Sequence, residues 1–195
     1  MKIESRLIPL VIVNVLVMLF FGTSYILKKN YEFMVYVGVI VFFILLIIYA
    51  HKRIDFPMIV YWGLTLWSFL HMSGGWFYFN GTRLYDIILV PIVGAPYHIL
   101  RYDQFVHVIG FCVATLAMFY LIKPLIKDFN RWAALSIVVV MAGLGVGALN
   151  EIIEFIAAVI ISVTGVGGYE NTSLDLVADL VGALVALIII RFREK

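Results

Sequence analysis

Long apolar runs separated by short polar segments dominate the pattern along the chain. A helix needs roughly 20 apolar residues to cross the hydrocarbon core of a bilayer, and the pattern therefore predicts six transmembrane helices in one domain, residues 1–195. The predicted spans are residues 7–27, 33–50, 57–77, 102–122, 132–162 and 174–190. The fifth run is long, but a break near Asn150 would leave a second piece too short to cross, and we interpret it as one tilted helix. The predicted fold class is an all-α, polytopic membrane helical bundle.

Two segments between the spans are expected to lie outside the hydrocarbon core. Residues 78–101 contain a short apolar stretch interrupted by Pro91 and Pro96. This stretch is too short to cross, and we expect it to cover the outer interface as a lid. Residues 165–173 begin with several glycines and are predicted to form an outer loop that leads into the sixth span.

Composition supports lipid as the main solvent of the chain. Of its 195 residues, 64% are hydrophobic and 13% are charged, whereas soluble domains are about half apolar and a quarter charged. The net charge of +2 gives no reason to expect a nucleic-acid partner. The single cysteine, Cys112, excludes an internal disulfide and a cysteine-built metal site. The expected partner is the bilayer, and the sequence does not indicate an oligomeric state.

The distribution of basic residues predicts the orientation of the bundle. Ten of them fall on the side of both termini, and four fall on the other side, namely Lys28, Lys29, Arg83 and Arg101. The ten are Lys2, Arg6, Lys52, Arg53, Lys123, Lys127, Arg131, Arg191, Arg193 and Lys195. Because cytoplasmic loops carry the excess of lysine and arginine, we predict a multi-pass protein of the cell membrane with both termini in the cytoplasm.

Acidic residues and histidine are costly inside a membrane, and those within spans are functional candidates by default. Here they occur as helical pairs: Asp103 with His107, Glu151 with Glu154, and Asp175 with Asp179. Spacings of three or four residues place both members of a pair on one helix face. With a rise of about 1.5 Å per residue, all three pairs reach the outer leaflet, and His71 reaches the same depth.

Carboxylates and a histidine in one apolar pocket require a compensating cation or protonation of some carboxylates. Imidazole with carboxylates suits zinc, manganese or iron, and carboxylates alone suit magnesium or calcium. We therefore predict a divalent metal ion, with zinc, manganese and magnesium as the candidates. The predicted ligands are His107, Glu151, Asp175 and Asp179. Glu154 and Asp103 are the candidate catalytic bases that activate water, and His71 and His98 are possible accessory residues.

Purely structural roles are the alternative for these residues. Asp103 can serve as the N-cap of its helix. Asp175 can interact with the helix dipole behind an N-cap at Thr172 or Ser173, and Glu154 can lie in water. Capping does not explain His107, Glu151 or Asp179, although interhelical hydrogen bonds that hold the bundle together would.

Small residues predict where helices approach closely. Gly143 and Gly147 form a GxxxG pair in the fifth span. Ala178, Gly182 and Ala186 form a small-residue face in the sixth. Such faces let helix backbones pack against each other in membranes.

Three segments carry a resemblance to a known group of membrane proteins. YDQFVHVIGF (residues 102–111) resembles the Asp-(Lys/Arg)-x-x-His-Phe element of the YjdF-like family, which VanZ-like proteins share in weaker form. LNEIIEF (149–155) is similar to its Tyr-Glu-x-x-Glu-Trp element, and SLDLVADLVGA (173–183) to its Asp-x-x-x-Asp element. The resemblance covers residues 60–190 in the family's order. Gln104, Val108 and Phe155 depart from the pattern, as does the missing Gly-Asp-x-Trp before Asp175.

The resemblance implies a shared constellation but no reaction, although VanZ-like proteins are associated with glycopeptide resistance at the cell envelope. From the residues, the first hypothesis is an outward-facing, metal-dependent enzyme that hydrolyses or transfers a group on a lipid or lipid-linked substrate. The alternative is a non-catalytic envelope subunit. An ion- or proton-coupled transporter ranks third, because the inner halves of the spans lack acidic residues and no internal repeat is visible.

Overall fold

A computed structural model describes residues 4–54, 56–126, 131–161, 164–165 and 167–194. Its long helices are α1 (Ile8–Leu27), α2 (Tyr31–His51), α3 (Met58–Trp76), α4 (Tyr102–Ile122), α5 (Trp132–Ile160) and α6 (Tyr169–Arg193). Short 3-10 turns cover Ser5–Leu7, Leu84–Asp86 and Lys123–Leu125. The strands are β1 (Tyr78–Phe79), β2 (Thr82–Arg83), β3 (Ile88–Val93) and β4 (Ile99–Arg101).

Among the described residues, five helices are long and apolar enough to cross a membrane, namely α1, α2, α4, α5 and α6. This result confirms an all-α membrane protein. Although α3 has 19 residues, its tryptophans, serines, glycines and His71 make it less apolar than the others. The six-span count and the cytoplasmic termini therefore stay predictions.

The fifth span is one helix, as predicted: α5 continues without a break past Asn150. The prediction for the start of α6 is wrong. The helix begins at Tyr169 with Gly168 as its N-cap, so residues 169–173 belong to the helix and not to a loop. The polar side chains of this first turn are also typical of a loop, which explains the wrong prediction. An acidic residue such as Glu170 nevertheless interacts favourably with a helix N-terminus.

The segment between α3 and α4 consists of two antiparallel hairpins. β1 and β2 are joined by Asn80 and Gly81, which have φ of 51° and 81°. Asn-Gly is the preferred pair for a two-residue hairpin turn with positive φ at both positions. β3 pairs with β4, and all six residues of β3 are exposed. The placement of these hairpins as a lid at the outer interface stays a prediction.

Helix α4 packs against α3, α5 and α6, and its contact with α6 is the most extensive of the bundle. Small residues make this contact possible, as predicted. A Cβ on Gly182 would lie 2.4 Å from the carbonyl oxygen of Val108, and one on Gly143 would lie 2.0 Å from Thr115 Oγ1. Both distances are far below van der Waals contact, so α6 and α5 reach α4 only because these positions are glycine.

Two buried clusters fill the bundle, one towards each end. The first contains Phe56, Leu116, Phe119 and Ile190, and Leu7 packs against it. The start of α1 and the end of α6 therefore lie at the same end of the bundle. The second cluster is rich in aromatic residues and contains Phe21, Tyr25, Phe33, Met72, Tyr85 and Val106. We call its side the site end, because Val106 immediately precedes His107.

Candidate metal centre

The predicted site residues on α4 and α6 meet where these helices pack together. His107 Nδ1 lies 2.9 Å from Asp179 Oδ1, and the two side chains are 8% and 0% exposed. His107 Nε2 lies 3.9 Å from Asp103 Oδ1 on the same helix. The histidine therefore has a carboxylate at each ring nitrogen, inside the protein.

Two triplets of side chains are close enough to share a metal ion. One is Asp103, His107 and Asp175, and the other is His107, Glu151 and Asp179. Within each triplet, one ligand atom per residue lies within 4.8 Å of the others. Three helices thus bring the other three predicted ligands close to His107, and the predicted base Asp103 belongs to the first triplet.

Several carboxylate oxygens in this group have no hydrogen-bond partner within the described ranges. They are Glu151 Oε1, Asp175 Oδ1 and Asp179 Oδ2, and all three are buried. An unpaired buried carboxylate oxygen is costly. These atoms are hard oxygen ligands of the kind that divalent cations bind, so the residues present fit a metal ion.

Asn171 also belongs to the group, although it is not among the predicted site residues. Its Nδ2 donates to Asp103 Oδ2 at 3.4 Å and also to Asp175 Oδ2. Asn171 precedes Asp175 by four residues, as Asp175 precedes Asp179, so the three share one face of α6. The mistaken loop prediction for residues 169–173 concealed this signal.

Glu154, one of the two predicted bases, lies beside the triplets and not within them. Its Oε1 accepts a hydrogen bond of 2.9 Å from Asn150 Nδ2. It lines a cavity of about 30 Å³ with Asp103, His71 and Asn171. A volume of this size holds one or two water molecules, so both predicted bases face a space that water can occupy.

His71 lies in the wall of this cavity, but it is not part of either triplet. Its Nδ1 lies 2.5 Å from the hydroxyl of Tyr85, and its ring packs against those of Tyr36 and Trp67. Burial raises the pKa of the Tyr85 phenol, so the hydroxyl stays protonated and can donate. His98 lies between β3 and β4 and does not line the cavity.

The capping interpretations of the acidic residues are wrong. Arg101 is the N-cap of α4, and its backbone N–H donates to Gln104 Oε1 at 3.0 Å. Asp103 is therefore inside the first turn. Because α6 begins at Tyr169, Asp175 lies almost two turns inside that helix. Neither capping role explains these carboxylates, whereas interhelical hydrogen bonding still accounts for part of the cluster.

Glu32 is the second residue of the site that was not predicted from the sequence. It is 8% exposed and lines the same cavity, together with Phe33, Tyr36 and Arg83. In the sequence it comes one residue before the predicted second span, outside the predicted membrane segment. The Asn30 side chain caps α2 by accepting from the Phe33 N–H at 3.1 Å, which includes Glu32 in the helix.

Fold and site together define an α-helical membrane protein with a buried cluster of carboxylates around one histidine. The chain matches the family described as "Predicted membrane protein (DUF2238)" over residues 8–195, and it belongs to this family. No curated protein and no solved structure matches the chain. All residues of the cluster lie within the matched range, but the description names no activity, and function has to be argued from the site.

Proposed function

We propose that this protein is a metal-dependent enzyme of the cell membrane that acts on a lipid or lipid-linked substrate. The divalent ion, with zinc, manganese and magnesium as candidates, is bound by His107, Glu151, Asp175 and Asp179. The observation that carries the proposal is the set of buried oxygens without partners on Glu151, Asp175 and Asp179. Asp103 and Glu154 serve as bases.

Charge balance supports a cation in this place. Asp179, Glu151 and Asp175 are buried in the bundle, where carboxylates are stable only when they are paired or bound to a metal. The histidine offsets at most one negative charge, even when it is protonated. A divalent ion offsets two and also accepts the free oxygens as ligands.

The hydrogen bond to Asp179 sets the role of the imidazole. A histidine that binds a metal through one nitrogen usually donates its other N–H to a carboxylate, which fixes the ring. With Nδ1 held by Asp179, Nε2 is the nitrogen left for the metal. Asp179 Oδ2 is free of hydrogen bonds to described residues, so this carboxylate can orient the ring and still bind the ion.

When bound, the ion acts as a Lewis acid that polarises a substrate oxygen and lowers the pKa of water. Glu154 accepts the proton of a water molecule in the cavity. Its hydrogen bond from Asn150 fixes one carboxylate oxygen and leaves the other for this role. Asp103 lies within 3.9 Å of His107 and is the second candidate base.

The cell-membrane location and the outward orientation rest on the ten basic residues predicted on the side of the termini. Under this orientation the site end faces outward. The resemblance to the YjdF-like and VanZ-like groups agrees with a role in the envelope. The fully exposed strand β3 provides an apolar edge near the site, and this suits a substrate that is itself embedded in lipid.

Metal analysis of the purified protein tests the proposal. We expect about one divalent ion per chain in the wild type, and a loss to background in Glu151→Gln and Asp179→Asn. Glu154→Gln is the matched control, since it neutralises a neighbouring carboxylate that is not a ligand and should keep the ion. A wild-type protein without metal, after purification free of chelators, would refute the metal centre.

The non-catalytic subunit is the second candidate, favoured by the hydrogen bonds that tie α4 to α6 through His107 and Asn171. It predicts that Glu151→Gln and Glu154→Gln have the same cellular phenotype, scaling only with protein abundance. The enzyme predicts that Glu154→Gln abolishes function at normal abundance. A transporter is disfavoured, because the inner halves of the predicted spans lack acidic residues and no internal repeat is visible in the sequence.

A further inference from the structure

A wide groove opens at the site end, next to the cavity that holds Glu154. Its volume is about 1020 Å³, at the upper end of the range for ligand pockets. The groove lies between the α1–α2 turn, the β1–β2 hairpin and the residues Ile161, Thr164 and Gly165. Groove and cavity share Glu32, Arg83 and Gly165 in their walls, so the two spaces are neighbours.

The basic residues of this end of the bundle gather in the groove. Of the four that the sequence places on this side, Lys28, Lys29 and Arg83 line it, and the fourth, Arg101, ends β4. Three of the four basic residues on this side of the bundle therefore lie at one opening.

The acidic residues of the groove are already paired. Arg83 lies 3.9 Å from Glu32 and 3.2 Å from Asp86, and both carboxylates line the groove. Neither Lys28 nor Lys29 forms an ion pair with a residue that the structure describes. Lys28 stacks over Trp76 at 4.4 Å from the ring centroid. Two exposed ammonium groups are thus left for an anion from outside the chain.

The backbone at Lys29 ends helix α1. Its φ is 53°, a left-handed conformation that glycine and asparagine adopt more easily than other residues. The Lys29 N–H donates to the carbonyl of Ile26 at 3.1 Å, and the Asn30 N–H donates to the carbonyl of Tyr25 at 3.0 Å, which is a common C-terminal cap of a helix. This cap places Lys29 in the wall of the groove.

We propose that this groove binds the phosphate group of an anionic lipid or lipid-linked substrate and presents that substrate to the metal centre. The substrate part of the inference rests on the proposed function, whereas phosphate binding does not. Lys28 and Lys29 stand at the ends of two apolar helices, where lipid phosphates lie. Each lysine near such a surface contributes roughly 1 kcal/mol of attraction.

Arg83 connects the groove to the site. Its Nη2 donates to the carbonyl of Gly165 at 3.1 Å, and the Gly165 N–H donates to Glu32 at 2.7 Å. A Cβ on Gly165 would lie 1.9 Å from Arg83 Nη1, so the guanidinium packs directly on this glycine. A phosphate held by the two lysines competes with Glu32 and Asp86 for Arg83, beside the wall of the cavity.

Titration of the full-length protein in a non-ionic detergent, with short-chain phosphatidylglycerol as the probe, tests the groove. We expect saturable binding that weakens with salt, and a loss of about 30-fold in affinity for Lys28→Gln/Lys29→Asn, from roughly 1 kcal/mol per lysine. Asparagine suits the left-handed position, so this variant should be no less stable than the wild type. Lys52→Gln/Arg53→Gln is the matched control, in the turn at the far end of α2, and should bind normally.

Inorganic pyrophosphate as a competitor distinguishes a free phosphate from a lipid. If the lipid binds and pyrophosphate competes only weakly, the lipid is the ligand. If pyrophosphate binds and the lipid does not, the lipid part of the proposal is wrong. Equal lipid binding by the wild type and by Lys28→Gln/Lys29→Asn would refute the proposal that the groove binds phosphate. Metal content, measured on the same samples, reports separately on the metal centre, because these lysines are not among its ligands.

Discussion

The helix pairs α1–α2 and α4–α6 are similarly apolar, yet they occupy very different positions in the bundle. In an apolar stretch of 18 residues from each helix, 44% of the residues of α4 and 39% of those of α6 are buried, compared with 11% in α1 and 17% in α2. Apolar character therefore identifies helices that suit a membrane but does not tell which of them form the core. Side-chain size and polarity separate the two pairs.

The physical reason is that lipid offers apolar side chains as good a surface as the protein interior does. Helix association in a membrane depends on close packing and on hydrogen bonds between helices. α4 and α6 have both, through Gly182 and through the contact of His107 with Asp179. α1 presents many large exposed aliphatic side chains, such as Leu16 and Leu19.

The largest effect is expected where the α4 and α6 backbones meet. In Gly182→Ala, the new methyl group would lie 2.4 Å from Val108 O and 2.8 Å from Cys112 N. Backbone atoms cannot rotate away, so α4 and α6 must separate, and overpacking of this kind costs about 1–3 kcal/mol or more. We expect a strongly lowered midpoint of thermal unfolding in detergent.

Gly38→Ala in α2 is the matched control, since no atom lies within 4 Å of its added Cβ. Alanine is the better helix former by roughly 1 kcal/mol, so this variant should be neutral or slightly stabilising. If Gly182→Ala is as well tolerated as Gly38→Ala, the division into core and peripheral pairs is wrong.

A smaller effect is expected at the contact of α4 with α5. In Gly143→Ala, the methyl group meets Thr115 Oγ1 at 2.0 Å, which is a side-chain atom and can be removed. We expect a loss of about 1–3 kcal/mol in the free energy of unfolding, most of it restored in Gly143→Ala/Thr115→Ala. Gly145→Ala, with nothing within 4 Å, should be harmless. An unrestored double variant would show that the clash lies elsewhere.

Helical spacing was enough to predict much of the site from the sequence. Pairs three or four residues apart identify a helix face, and the rarity of charge in apolar runs marks these faces as unusual. His107, Glu151, Asp175 and Asp179 were found in this way, and the structure brings them together. What they bind stays a prediction.

Two of the site residues that were not predicted lie at helix ends. Glu32 and Asn171 fall in first turns, where polar residues are expected on solvation grounds alone and carry no special signal. Arg83 ends β2 and Tyr85 lies in the 3-10 turn that follows, and both line the cavity beside residues that are distant in sequence, such as Glu32. Helix α2 therefore contributes to the cavity, since Glu32 enters it from the first turn of this helix.

The smallest effect is expected where α1 joins the bundle. Asn14 Nδ2 donates to Thr65 Oγ1 on α3 at 2.7 Å, and hydrogen bonds between membrane helices contribute about 0.6 kcal/mol on average. A double-mutant cycle with Asn14→Ala and Thr65→Val should give a coupling energy of this size, measured by reversible unfolding. Thr23→Ala is the control, because Thr23 is exposed and its hydroxyl donates to carbonyls of its own helix, at Leu19 and Phe20. A coupling well above about 2 kcal/mol would mean that α1 is held as firmly as α4 and α6, and the contrast between the pairs would then rest on burial alone.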